Sequence, residues 1–211
     1  VTGQLTGIYA YAGFNTTGIE IAVNNVTSYV AEGIQARSNG GGDITVNATN
    51  AAGTAVVSAS QVGIRVGHYG AASGTVSITA NNVSAVDNDG IYVYHSDGDD
   101  ILVTVDGEVE SDTAYGIRTN HFGFGDTVIT ATNAAGDASV RGYASAIRAY
   151  ADNTTGAVTI TTNNVTGYTG DGIYGQSFGS GDLTLTSTRA AGTADVYGQV
   201  RGLAARNYDA R

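Results

Sequence analysis

The chain has 211 residues, a formal net charge of −10 and no Cys, Met, Trp or Pro; it also lacks Lys, so every positive charge is an Arg. Zero cysteine excludes a disulfide framework and a thiolate metal site. An acidic chain without a basic cluster is not built for nucleic acid or for anionic membrane surfaces, and no run approaches the roughly 18 apolar residues of a membrane-inserted span.

In chain order, the dipeptide Gly-Ile opens segments at Gly7, Gly33, Gly63, Gly90, Gly116 and Gly172, with the variants Ala146-Ile147 and Gly202-Leu203 between and after them. Successive starts are 26, 30, 27, 26, 30, 26 and 30 residues apart. A stride of this size is the mark of a solenoid, in which each repeat contacts only its neighbours. Residues 1–211 are therefore read as one elongated repeat domain. The run from Gly202 opens an eighth repeat and stops after ten residues, and the chain begins at Val1 without an initiator Met or a signal peptide. Both points lead us to expect a piece of a longer chain.

The repeat at Gly33 shows the plan. Strand alternation turns Ile34 and Ala36 inward and Gln35 and Arg37 outward. A turn at Asn39-Gly40-Gly41-Gly42-Asp43 leads to Ile44-Thr45-Val46-Asn47-Ala48, with Ile44, Val46 and Ala48 inside. A second turn, Asn50-Ala51-Ala52-Gly53, leads to the run Ala55–Ala59 and the next start. The second strand recurs as Ile19-Glu20-Ile21, Val76-Ser77-Ile78, Val158-Thr159-Ile160 and Leu183-Thr184-Leu185. The turn after it is Asn-Asn in shorter repeats (24–25, 81–82, 163–164). In longer ones it is Asn-Ala-Ala-Gly at 50 and 133, or Arg189-Ala190-Ala191-Gly192. These Asn residues are expected to take left-handed turn conformations and to bond to one another from coil to coil. No 3.6-residue pattern appears, which removes the helical solenoids. The predicted fold is all-β: a right-handed parallel β-helix with three strands per coil. About seven complete coils at about 4.8 Å each span roughly 34 Å.

The phrases Gly172-Ile-Tyr-Gly, Gly181-Asp-Leu-Thr-Leu-Thr-Ser-Thr and Gly202-Leu-Ala-Ala-Arg-Asn-Tyr resemble the repetitive passengers of bacterial autotransporters and the filamentous-haemagglutinin-like β-helices. The resemblance covers essentially the whole chain. It implies export to the bacterial cell surface or secretion, and a stalk, adhesin or scaffold role.

Four features are candidates for chemistry. His68, His95 and His121 each stand five residues after a start in consecutive coils, which predicts one column of rings about 4.8 Å apart. A metal site, a pH-sensitive element and plain ring stacking all fit such a column, although equal spacing along a line suits tetrahedral zinc poorly. Second, 9 of the 19 carboxylates fall between residues 87 and 112. Asp87 and Asp89 precede the Gly90 start, and Asp97, Asp99 and Asp100 occupy its first turn. These are the candidate oxygen ligands for calcium, with a solvated acidic band as the alternative; apart from that candidate, no cofactor is expected. Third, the outward positions of the first strand carry Tyr9, Tyr11, Arg37, Arg65, Tyr92, Tyr94, Arg118, Arg148, Tyr150 and Tyr174. Tyr and Arg dominate interface hot spots and stack on sugar rings. Fourth, the second strand offers Thr columns that resemble ice-binding ranks, with Glu20, Asn47, Leu102 and Val128 as interruptions.

These features lead us to expect a non-enzymatic surface protein whose partners are glycans or other molecules of host or neighbouring cells. End-to-end self-association into a filament or surface layer is the second expectation. A polysaccharide lyase or hydrolase is the third, and it would need carboxylates converging on one face. No stretch of 65–118 supplies an interior Arg as a lyase base, and the chain has no Lys.

Overall fold

The computed structural model describes residues 1–14, 18–70, 74–152, 155–188 and 195–208. Among these the chain is all-β, and no helix is long and apolar enough to cross a membrane. The strands form three parallel sheets of eight, eight and seven strands, and each sheet takes every third strand of the chain. The result is the expected parallel β-helix of about seven coils. In the coil that starts at Gly90 the three strands are Ile91–His95, Ile101–Val105 and Glu108–Ser111.

Stacking is in register at every coil boundary. Ile8, Ile34, Ile64, Ile91, Ile117, Ile147, Ile173 and Leu203 form one continuous column in the first sheet. The backbone N–H of each residue in that column donates to the carbonyl of the glycine or alanine that starts the next coil, at 2.8–3.0 Å from Ile8 to Ile173. Opposite columns come from the second sheet (Ile44, Val76, Ile101) and the third (Val57, Val83, Val109), all essentially buried. The inward residues match the alternation read from the sequence: Ile34, Ala36, Ile44, Val46 and Ala48 have no exposed surface. Burying an isoleucine fully stabilises by about 1.5–3 kcal/mol, so the stacked Ile column is a main support of the rod. The narrow interior explains the small-residue composition. A Cβ at Gly90 would lie 2.6 Å from the Gly116 carbonyl oxygen and 2.7 Å from Val109 Cγ1.

One expectation about asparagine is corrected and the other is met through the backbone. No described residue other than glycine has a positive φ; in the Asn-Ala-Ala-Gly turns the left-handed residue is Gly53 (φ 68°) or Gly136 (φ 74°). The asparagine serves by its side chain: Asn50 Oδ1 accepts from Thr54 N–H at 2.9 Å, and Asn133 Oδ1 from Asp137 N–H at 3.1 Å. The turn asparagines do bond from coil to coil, but side chain to backbone and not side chain to side chain. Asn81 Oδ1 accepts from Asn50 N–H at 2.9 Å, Asn82 Oδ1 from Glu108 N–H at 3.0 Å and Asn163 Oδ1 from Asn133 N–H at 2.9 Å. Long and short turns neighbour each other, so the Asn81 and Asn163 side chains face the backbone of the neighbouring Asn50 and Asn133 and not their side chains. The unusual Asp106-Gly107 turn follows the same logic. Asp106 accepts the Asn81 amide at 2.7 Å, and a Cβ at Gly107 would strike Asn82 Oδ1. The turn expected at Arg189-Ala190-Ala191-Gly192 lies outside the described residues.

Candidate functional site

The outward side of the first sheet concentrates the rings and guanidinium groups. Two outward residues per strand make two columns. One runs Tyr9, Gln35, Arg65, Tyr92, Arg118, Arg148, Tyr174; the other runs Tyr11, Arg37, Gly67, Tyr94, Asn120, Tyr150, Gln176, Arg206.

In the first column, arginines and tyrosines alternate in space. The Arg65 guanidinium lies 5.7 Å from the Tyr92 ring centroid, and Arg118 lies 4.4 Å from the same ring. Arg118 is also 5.3 Å from Tyr115, whose ring is 5.7 Å from Arg148. The residues just before each coil start supply carboxylates to this series. Glu32 pairs with Arg65 at 3.3 Å, Asp89 with Arg118 at 2.8 Å, and Asp171 grips Arg201 through two 2.8 Å bonds. Each acid reaches an arginine one coil onward, so the pairs tie coils together. Burial pushes the Asp89 carboxyl up, with Arg118 and the Tyr115 N–H pulling in the opposite direction.

Beside the second column runs an aromatic ladder that the sequence reading found only in part. Tyr69, Tyr94, Phe122, Tyr150, Phe178 and Tyr208 follow one another with centroids 4.8–5.7 Å apart, and the Arg37 guanidinium sits 4.7 Å from the Tyr69 ring at one end. Tyr94 and Tyr150 come from the outward column; the others stand two residues further along their coils. The signal was present. Wherever the outward position is Gly67, Asn120, Gln176 or Arg206, the residue two places on is aromatic. At Gly67 the reason is direct: a Cβ there would lie 2.4 Å from the folded-back Tyr69 ring. Tyr115, Glu32, Asp171 and Arg201 were missed because they precede the Gly-Ile signal by one residue.

The three histidines do form one column, in register and wholly buried. His68 and His95 meet edge to face with centroids 4.7 Å apart; His95 and His121 stack nearly parallel at 5.1 Å. His121 Nδ1 lies 3.0 Å from Thr127 Oγ1, and turn backbone faces each ring: Gly40 and Gly42 at His68, Gly74 at His95, and Gly98 and Asp99 at His121. Burial lowers the pKa of all three, and that of His95, pressed between the other two, falls to about 3.

The five acidic candidates do not converge. Asp87 and Asp89 lie before strand Ile91–His95, and Asp97, Asp99 and Asp100 lie after it. A five-residue strand separates the two groups by about 16 Å. Asp89 is enclosed, and Asp100 Oδ1 accepts the Asp126 N–H at 2.8 Å. Asp43 and Asp126 accept N–H groups of the next coil in the same way. Among the described residues no group of three or more His, Asp or Glu side chains is placed to hold a metal ion. On the second sheet Thr79, Thr104, Thr130, Thr161 and Thr186 form one unbroken outward rank. Of the four interrupting residues, Asn47 ends this rank and the other three fall in the column beside it.

Between Arg148 and Tyr174 the guanidinium–ring series breaks, although the two are register neighbours. A shallow cleft of about 360 Å³ opens there, lined by Tyr115, Ser145, Arg148, Asp171, Tyr174, Arg201 and Arg206. Compared with known proteins, the chain matches no family model, no curated protein and no solved structure.

Proposed function

We infer that this chain is a non-enzymatic, exported β-helix of the autotransporter-passenger type that acts as an adhesive rod, with the ring-and-guanidinium side of its first sheet as the binding face. The observation that carries this reading is the run of Tyr, Phe and Arg stacked in register on the outward side of the first sheet; other exposed aromatics, such as Tyr29, Tyr143, Tyr168 and Tyr197, stand elsewhere on the rod without forming such a run. Flat arrays of tyrosine and arginine supply large, rigid contact area and suit sugar rings and protein partners alike. The carboxylates of this face favour binding over catalysis. Glu32, Asp89 and Asp171 are each committed to an arginine, whereas a glycosidase keeps two carboxyl groups facing its substrate.

A glycan and host-matrix array tests this, with the chain set beside a variant carrying Tyr9→Ala, Tyr11→Ala and Tyr94→Ala. Binding by the parent and its loss in the variant, with the circular dichroism of the rod retained, is the expected result. Binding by neither chain removes the adhesin reading and leaves a stiff spacer. A particle size that grows with concentration, without array binding, would favour the filament reading.

A further inference from the structure

We propose that the cleft between Arg148 and Tyr174 is a subsite for an acidic saccharide, one that carries a carboxylate or sulfate group; this rests on the reading of the face as a binding surface. Its walls combine the two chemistries such a ligand needs. Tyr115 and Tyr174 both line the cleft, Tyr115 beside Arg118 and Arg148 and Tyr174 beside Arg201 and Arg206, so each ring supplies apolar surface to a pyranose next to guanidinium groups. Three guanidinium groups, Arg148, Arg201 and Arg206, face one carboxylate, Asp171.

The three arginines are not equivalent. Arg201 is fixed by its two-bond fork with Asp171 and is neutralised by it. Arg148 and Arg206 form no ion pair among the described residues; each is held only against a ring, Arg148 by Tyr115 and Arg206 by Tyr174, at 5.7 Å in both cases. Their planar forks remain available for bidentate bonds to a carboxylate or sulfate. The Tyr174 hydroxyl is itself held, donating to Gln176 Oε1 at 2.7 Å, so the ring is set in place before a ligand arrives. The volume, about 360 Å³, is at the lower end of the range for small-molecule sites and fits one or two sugar units.

Charge sharpens the argument. The whole chain carries −10, so its long-range field repels anions. Arg148 and Arg206 stand two coils apart with Tyr174 between them, so the cleft offers two guanidinium groups to an anion from opposite ends.

Calorimetric titration of the chain with three tetrasaccharides tests the subsite: a sulfated heparin fragment, a galacturonate oligomer and neutral maltotetraose. At least one acidic oligomer is expected to bind, and the neutral one to bind at least tenfold more weakly. Arg148→Gln and Arg206→Gln should each weaken acidic binding about tenfold or more. Arg141→Gln, which removes the same charge from the third sheet, should not. Binding of the galacturonate oligomer shows that a carboxylate suffices, and binding of the heparin fragment alone shows that sulfate is required. Equal affinity for the neutral oligomer, or an equal loss in Arg141→Gln, overturns the subsite. If array binding survives Arg148→Gln and Arg206→Gln but is lost on changing Tyr9, Tyr11 and Tyr94, the cleft is wrong and the adhesive face stands. If neither array nor titration shows binding, both fall.

Discussion

Asp89 and Arg118 meet at 2.8 Å across one coil step, with the carboxylate completely enclosed and the guanidinium partly open to solvent. The acid precedes a coil start and the base lies two residues after the next one, so the pair crosses the boundary between two repeats. Arg118 is further held between the Tyr92 and Tyr115 rings.

Removing the arginine should therefore be worse than removing the acid. Arg118→Ala leaves a buried carboxylate without its counter-charge, a loss of about 3–5 kcal/mol. Asp89→Asn keeps the shape and removes the charge that needs compensation, and should cost less. Urea denaturation followed by circular dichroism compares the two. Equal losses would mean that the pair is not the support of this boundary.

The histidine column predicts an acid-sensitive rod. The imidazole pKa values are lowered in the folded state, with that of His95 at about 3 against an ordinary 6.5. Below about pH 6.5 the unfolded chain then binds more protons at these positions than the folded chain does. Stability should be flat above neutrality and fall as pH drops from 6.5 toward 3. At pH 5 His95 alone accounts for about 2 kcal/mol, at 1.36 kcal/mol per pH unit. Asp89, shifted upward by burial, acts in the opposite sense above the ordinary carboxylate value, and a variant without the histidines separates the two contributions. Changing His68, His95 and His121 together to Ser, the residue present at Ser38 and Ser177 of the same column, should flatten the profile between about pH 6.5 and 5. Urea midpoints at pH 7.5 and 5.0 for both proteins check this.

Two glycines should respond to substitution for different reasons. Gly53 has open space around its Cβ position but a φ of 68°. Ala there should cost about 1 kcal/mol in backbone strain, with Asn recovering part of the loss. Gly90 has no such φ, but its Cβ would press on the next coil, and overpacking of this kind costs about 1–3 kcal/mol or more. Thermal unfolding of Gly53→Ala, Gly53→Asn and Gly90→Ala measures both. Recovery on Gly53→Asn alone would confirm that one site is conformational and the other steric.

The parallel β-helix was legible in the sequence because its physics is one-dimensional. Each coil contacts only its neighbours, so a fixed stride of Gly-Ile with alternating runs states the stacking axis, the inward residues and the register of every strand in the first sheet. The stride placed His68, His95 and His121 in one column for the same reason. Tertiary structure decided what the columns do sideways. The pairing of Glu32, Asp89 and Asp171 with arginines one coil onward, and the crossing of the aromatic ladder between two positions, depend on side chains leaning across coil boundaries. Strand alternation assigns a side chain to a face but not to a partner. Turn geometry was decided there too. The glycine, lacking a Cβ, takes the left-handed position, and the Asn side chain closes the same turn by accepting the N–H four residues on.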